Sequence, residues 1–183
     1  MSSYLAQAQN NHWSNRRLLS ACFALSHDEY VAKRTSFFPS IEKTLLHILE
    51  VDRFYLAALA FDVEGQRRAD VGAVPLEELA QLQSAADVRL ITYCEGLDDD
   101  LLSRQAQVVR PEGLVLERVD RLLLHLFQHQ IHHRGQIHAM LSGTRVAPPQ
   151  LDEFYLEGDS QRRALDEASS PSAQKIDRLH PVR

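Results

Sequence analysis

The residues best suited to chemistry in this 183-residue chain are two histidines in its last long segment of helical periodicity. His129 and His133 lie four residues apart in the segment 129–136, which reads HQIHHRGQ. On an α-helix this spacing turns the second ring by only about 40° and raises it by about 6 Å, so both imidazoles can face one ion. Imidazoles bind transition metals, and a further ligand must come from another element. The best candidate is His47, in a second apolar-periodic segment.

Other histidines in the last segment compete for the same role. His125, His129 and His133 form a ladder that spans about 12 Å, too long for all three rings to bind one ion. His132 immediately precedes His133 and therefore points about 100° away from it on a helix. The residues alone leave open which end of the ladder binds metal.

Together these residues resemble the DinB/YfiT-like metalloenzymes. That family consists of four-helix bundles with one histidine on the second helix and an H-x-x-x-H-R-G-Q motif on the last. His47 and the segment His129–Gln136 match this pattern residue by residue, and the segments 11–19 and 38–41 resemble the family's first helix and the start of its second. The resemblance spans about residues 4–157 and implies His47, His129 and His133 as the metal ligands.

Three neutral imidazoles leave a coordination position open, which is typical of catalytic metal sites. Imidazole ligands suit several divalent transition metals; we favour zinc, with nickel as an alternative. The resemblance implies a metal-dependent enzyme, in particular a thiol-dependent transferase that accepts a small-molecule thiol or an anionic substrate. The alternative is a non-catalytic, stress-related metal-binding helical bundle, which would need the same three histidines.

The residues around the two histidines are expected to support the site and the helix packing and not to bind the metal. A metal-binding imidazole needs its second ring nitrogen anchored, and Gln128, Gln136 and Glu50 are candidates for that role. Gly135 is expected to permit close helix packing, because glycine inside a helix costs about 1 kcal/mol relative to alanine. Arg134 is expected to form a surface or inter-helix ion pair.

His12 and Trp13, in the first helical segment, could border the same cavity as the three histidines. The preferred interpretation is structural. His12 then belongs to a polar helix edge and Trp13 to the apolar core.

Four long amphipathic segments predict an all-α fold, specifically a four-helix bundle. The predicted helices cover about residues 3–25, residue 41 to shortly before Gly65, residues 75–97 and residues 116–142. Ser2 or Ser3 and Ser40 are predicted N-caps, and Gly143 is predicted to stop the last helix.

The connections between these helices are predicted to be mostly irregular. Residues 65–73 have the composition of a polar linker. A short hairpin is predicted before the last helix, with Gln105–Val109 and Leu114–Leu116 flanking a turn that reads RPEG. Residues 1–167 are predicted to form a single domain and residues 168–183 a polar C-terminal tail.

Composition and charge bear on partners and location. The formal charge of −5 and the absence of a dominant Lys/Arg cluster argue against a nucleic-acid partner. No signal peptide or membrane span is expected, and Cys22 and Cys94 are expected to be buried free thiols, which together favour a cytoplasmic location. The resemblance to four-helix relatives, with long helices that could leave apolar faces uncovered, further implies a homodimer.

Overall fold

A computed structural model describes residues 3–152 and 156–169. This part of the chain is mostly helical, with a small two-stranded antiparallel sheet. The long helices are α1 (Ser3–Phe23), α3 (Ile41–Leu59), α5 (Leu76–Glu95) and α7 (Val119–Leu141). The short helices are α2 (His27–Val31), α4 (Val63–Arg67), α6 (Asp99–Ser103) and α8 (Ser160–Ser169). The strands are β1 (Gln105–Arg110) and β2 (Gly113–Arg118).

The four long helices pack around a shared apolar core. Helix α1 contacts α5 and α7, and α3 contacts α5 and α7, so each long helix has two long neighbours. Burial of one face of each helix is the main stabilising term, at roughly 25 cal/mol for each Å² of apolar surface removed from water. The largest fully buried side chains are Leu18, Ile41, Ile48, Leu49, Leu59, Leu79, Leu90, Leu122, Leu123, Leu126, Ile137 and Leu141.

Local sequence signals place several helix ends. The side chain of Ser40 accepts a hydrogen bond from the backbone of Lys43 at 3.2 Å, which confirms the predicted N-cap of α3. Cys22 and Cys94 are free and buried, as predicted. No helix in the described ranges combines the length and apolar character that a membrane span requires.

The predicted start of the last helix was wrong. Leu116 lies in β2, and α7 begins three residues later at Val119. Strand β2 pairs with β1 over its full length, with Gln105 opposite Arg118 and Arg110 opposite Gly113. The predicted hairpin therefore exists, but its second strand is twice as long as predicted. The partner strand satisfies backbone groups that a helix would otherwise have bonded internally.

Some predicted irregular connections contain short helices. Gly65 is not in a linker but inside α4, whose N-cap Asp62 accepts a hydrogen bond from the Gly65 backbone at 2.8 Å. Asp98 likewise caps α6, because its side chain accepts a hydrogen bond from the Leu101 backbone at 2.7 Å. Of the predicted tail, residues 168 and 169 end helix α8, and residues 170–183 lie outside the described residues, as does the predicted cap Ser2.

The buried side chain of Gln66 on α4 anchors the hairpin to the helices. Its amide nitrogen donates to the Gln107 carbonyl at 2.8 Å, and its amide oxygen accepts from the Val109 backbone at 2.9 Å. These are the two bonds that a neighbouring strand would have made with β1. Ala106 and Val108 also point into the core, so β1 is fixed along its length.

A network of buried polar side chains lies between the long helices. Each long helix contributes to it, and its members are Asn11, Asn15, Asp52, Gln83, Asp87, Gln130 and Arg134. The Arg134 guanidinium donates to the amide oxygens of Asn11 and Asn15. The two asparagines in turn donate to Asp87 Oδ1, at 3.1 and 3.0 Å. Arg134 is therefore not on the surface, and it reaches its charge partner through two asparagines.

Asp52 connects this network to the helices that carry the candidate ligands. It accepts a hydrogen bond from Gln130 Nε2 at 2.8 Å, across the interface between α3 and α7. Gln130 lies between His129 and His133, and Asp52 lies five residues after His47. A hydrogen bond in this dry interior has strict geometric requirements, so it fixes the relative position of α3 and α7.

Burial and the nearby charge of Asp87 together raise the pKa of Asp52 to about 7, although hydrogen bonds from Gln83 and Gln130 oppose the shift. The folded protein thus binds a proton at Asp52 more tightly than the unfolded chain, whose aspartates titrate near 3.9. Stability contributed by this proton is fully present below about pH 4 and is lost as the pH rises toward 7.

We expect Asp52→Asn to remove this pH dependence. Between pH 4 and 7 the unfolding free energy of the wild type should fall, relative to that of the variant, by up to about 1.4 kcal/mol per pH unit. Urea unfolding of metal-free protein at several pH values measures the difference. Asp100→Asn, at an exposed position, is the control and should leave the slope unchanged. Parallel curves for the wild type and Asp52→Asn would contradict the expectation.

Candidate metal site

The structure brings His47, His129 and His133 together at the interface of α3 and α7. The Nε2 atoms of His47 and His129 are 2.9 Å apart, and one ring nitrogen from each of the three residues lies within 4.8 Å of the others. The centroid of the His133 ring is 4.4 Å from that of His129 and 4.7 Å from that of His47. The helical spacing thus aligns the two rings of α7, and helix packing adds the ring of α3.

The distance between His47 Nε2 and His129 Nε2 is one expected for two ligands of one ion. With metal–nitrogen bonds of about 2.0–2.1 Å, two ligand nitrogens lie about 2.9 Å apart at a right angle and about 3.4 Å apart at a tetrahedral angle. The 2.9 Å between His47 Nε2 and His129 Nε2 falls at the lower end of this range. The three residues therefore fit a divalent transition metal.

The electrostatic environment keeps all three rings neutral at pH 7. Burial, together with the neighbouring imidazoles, lowers the pKa of His129 to about 3. Burial and the proximity of His133 lower the pKa of His47 to about 4. Burial also lowers the pKa of His133. Neutral imidazole is the form that donates a lone pair to a metal.

Gln136, the last residue of the motif, holds His133 in a defined orientation. His133 Nδ1 donates to Gln136 Oε1 at 2.9 Å, which leaves Nε2 with its lone pair free. Gln136 Nε2 donates to His132 Nε2 at 3.0 Å, so His132 supports the amide that supports the ligand. Gln136 thus has the anchoring role for which three residues were candidates. Another of these, Glu50, accepts instead from the backbone of Val71 at 3.4 Å.

The competing histidines lie outside the cluster. The His125 ring stacks on Tyr55 at 5.4 Å, and its centroid is 6.4 Å from that of His129.

His12 Nδ1 lies 3.5 Å from the Asp87 carboxylate, at the edge of the buried polar network. Trp13 is a core residue, as predicted. Neither His12 nor Trp13 is among the described residues that line the cavity beside the three histidines.

That cavity has a volume of about 610 Å³ and opens between α3, α7 and the hairpin. Its described lining residues combine aromatic rings, histidines and one arginine: Phe37, His47, Val51, Phe54, Tyr55, Val109, Arg110, Pro111, His125, His129, His132 and His133. None of these residues carries a carboxylate. An ion held by the three histidines would therefore border a largely apolar space that a small molecule can enter.

Sequence reasoning missed several residues of this site. Phe38 packs its ring on His47 at 4.3 Å and on His133 at 5.6 Å, which restricts both rings. Val51 and Tyr55 follow His47 at helical spacing, and this signal could have placed them on the cavity wall. No pattern in the sequence places Phe38 there, because it reaches the site from a loop.

The expected role of Gly135 was wrong. A Cβ atom at this position would meet no atom within 4 Å, so the glycine does not permit close helix packing. Gly135 instead borders a second, wider cavity of about 1030 Å³, between α1, α7 and the C-terminal segment.

The sequence matches a model of the DinB family over residues 1–164. It is 27% identical over 148 residues to the protein DinB of Bacillus subtilis (strain 168), covering 75% of this chain and 85% of that protein. It is also 25% identical over 134 residues to the uncharacterized protein YizA of the same organism, covering 69% of this chain and 79% of that protein. The chain belongs to the DinB family.

Solved structures share the fold. A crystal structure of a DinB-like protein from Bacillus subtilis matches with a TM-score of 0.59 at 19% identity, covering 79% of this chain and 96% of that one. A DinB-like protein from Bacillus cereus ATCC 10987 also matches with a TM-score of 0.59, at 16% identity, covering 79% of this chain and 94% of that one.

Proposed function

We propose that this protein is a metal-dependent enzyme built on a four-helix bundle of the DinB type, and that His47, His129 and His133 hold one divalent transition metal. The single observation that carries the proposal is the convergence of three neutral imidazoles beside a cavity that a small molecule can enter. Zinc is the favoured metal because an all-nitrogen, uncharged ligand set with an open position suits it; nickel is the alternative.

The reaction we propose is the transfer of a low-molecular-weight thiol. A bound divalent ion lowers the pKa of a coordinated thiol and so supplies a nucleophile near neutral pH. The chain's own residues then position and shield the reactants. Phe54 and Tyr55 supply an aromatic wall against which an apolar reactant can pack, and Gln136 keeps His133 oriented. His125 offers an imidazole on the wall that can accept the proton of an incoming thiol.

The alternative, a non-catalytic stress-related protein in which the ion braces α3 against α7, uses the same three histidines. A purely bracing ion is normally enclosed by four protein ligands. The cavity beside the cluster, and the fact that the described residues supply three ligands and not four, favour the catalytic proposal.

The metal site is tested by occupancy. Purified wild-type protein should hold about one divalent metal per chain, and the double variant His129→Ala/His133→Ala should lose nearly all of it because only His47 remains. Mass spectrometric metal analysis after gel filtration gives the ratio. His125→Ala and His132→Ala, which remove imidazoles from the same helix, should retain most of the metal. Full occupancy in the double variant would exclude this site.

Catalysis is tested by a transfer assay. Metal-loaded wild-type protein should accelerate the reaction of a small thiol, drawn from a panel that includes cysteine and glutathione, with an electrophile such as 1-chloro-2,4-dinitrobenzene. The double histidine variant should show only the uncatalysed rate, because it lacks the ion that activates the thiol. Product absorbance gives the rates. If the wild type and the double histidine variant gave equal rates with every thiol of the panel, the non-catalytic alternative would be favoured.

Chelation should lower the melting temperature without unfolding the helices. A ligand that binds only the folded state stabilises it by RT ln(1 + [L]/Kd), about 2.7 kcal/mol when free metal is 100 times Kd. For a chain of this size that corresponds to a shift of about 5–10 °C. Helix content should persist, since the buried apolar core does not depend on the ion. Circular dichroism with and without chelator measures both quantities, and an unchanged melting temperature would argue against a tight site.

A further inference from the structure

The cavity beside the three histidines has one permanently charged residue in its described lining. Arg110 stands where β1 meets the hairpin turn, and the rest of the wall consists of histidines and apolar or aromatic side chains. A guanidinium stays protonated at any physiological pH. Since none of the described lining residues carries a carboxylate, the charge of Arg110 is not neutralised within that part of the cavity wall.

The backbone that carries Arg110 is held firmly. The preceding residue, Val109, donates its backbone N–H to the buried side chain of Gln66, and Val108 is fully buried. Pro111 follows with its ring-restricted φ, and Gly113 closes the turn at φ 130°, a conformation that side-chain-bearing residues rarely adopt. The exposed side chain of Arg110 therefore projects from a fixed point at the cavity.

We propose that Arg110 binds a carboxylate on the substrate, whose apolar or aromatic body packs against Phe54 and Tyr55 while its reacting end faces the three histidines. A guanidinium presents two parallel N–H groups that match the two oxygens of a carboxylate. A phosphate monoester carries nearly two charges and is usually bound by a cluster of cations, which the described lining of this cavity does not contain. The inference rests on the proposed function, because the histidine-bound metal defines the reacting end.

The test compares two thiols that differ only in a carboxylate. Isothermal titration calorimetry of zinc-loaded protein measures the Kd of benzyl mercaptan and of 4-(mercaptomethyl)benzoate. Each thiol loses its proton on binding the ion, whether to His125 or to the buffer, so the linked protonation affects both Kd values equally. Wild-type protein should bind the carboxylate-bearing thiol about tenfold more tightly, the gain expected of one charge-assisted pair at a partly exposed site.

The variant Arg110→Gln should bind both thiols with the same Kd. Arg121→Gln removes the same charge from an exposed position of α7 that is not part of the cavity wall, and it should keep the tenfold preference. Arg110→Lys should keep only part of the preference, since an ammonium cannot offer the paired geometry.

The outcomes separate this inference from the proposed function. If neither thiol binds zinc-loaded protein, the proposed metal chemistry fails and the role of Arg110 fails with it. If both thiols bind wild-type protein equally, or if Arg110→Gln keeps the preference, the role of Arg110 is refuted while the metal site stands. Loss of the preference in both Arg110→Gln and Arg121→Gln would indicate a general charge effect and also overturn the inference.

Discussion

The buried hydrogen bond between Gln130 and Asp52 is the interaction on which the candidate site depends. It joins α3 to α7 at 2.8 Å, and Gln130 lies within the same turn as His129 and His133. An apolar interface alone would tolerate sliding or rotation of one helix against the other, because the hydrophobic effect has no direction. A directional hydrogen bond does not tolerate such movement. It therefore fixes the axial position and the rotation of α3 relative to α7, and so the position of the His47 ring relative to those of His129 and His133.

The same polar network engages the buried carboxyl groups of Asp52 and Asp87, so that neither pairs with the three histidines. The carboxylate of Asp52 is occupied by the amides of Gln83 and Gln130, and Asp87 is occupied by Asn11 and Asn15. The histidine rings have no such acidic partner in the described cavity wall, and burial lowers their pKa values. The buried polar groups therefore have two separate roles. The side chains of the polar network satisfy the buried charge of Arg134, whereas the three histidines remain neutral and able to bind a metal.

The motif HRGQ illustrates how neighbouring residues serve different parts of the structure. His133 faces the cluster of three imidazoles, and Gln136 orients it through one hydrogen bond. Arg134, one residue along and about 100° around the helix, points into the polar network. Gly135 faces a different cavity. A short motif on one helix thus contributes to three environments, because successive residues of a helix point in different directions.

The sequence by itself determined what depends on local spacing: the four long helices, the N-cap at Ser40, the existence of the hairpin, and the alignment of His129 with His133. It also offered His47 as a donor. Only the tertiary structure decided that Phe38 packs on the ligand rings, that Arg134 is buried, and that Arg110 stands at the cavity. Those facts depend on contacts between residues far apart in the chain, and periodicity within one segment carries no information about which segments meet.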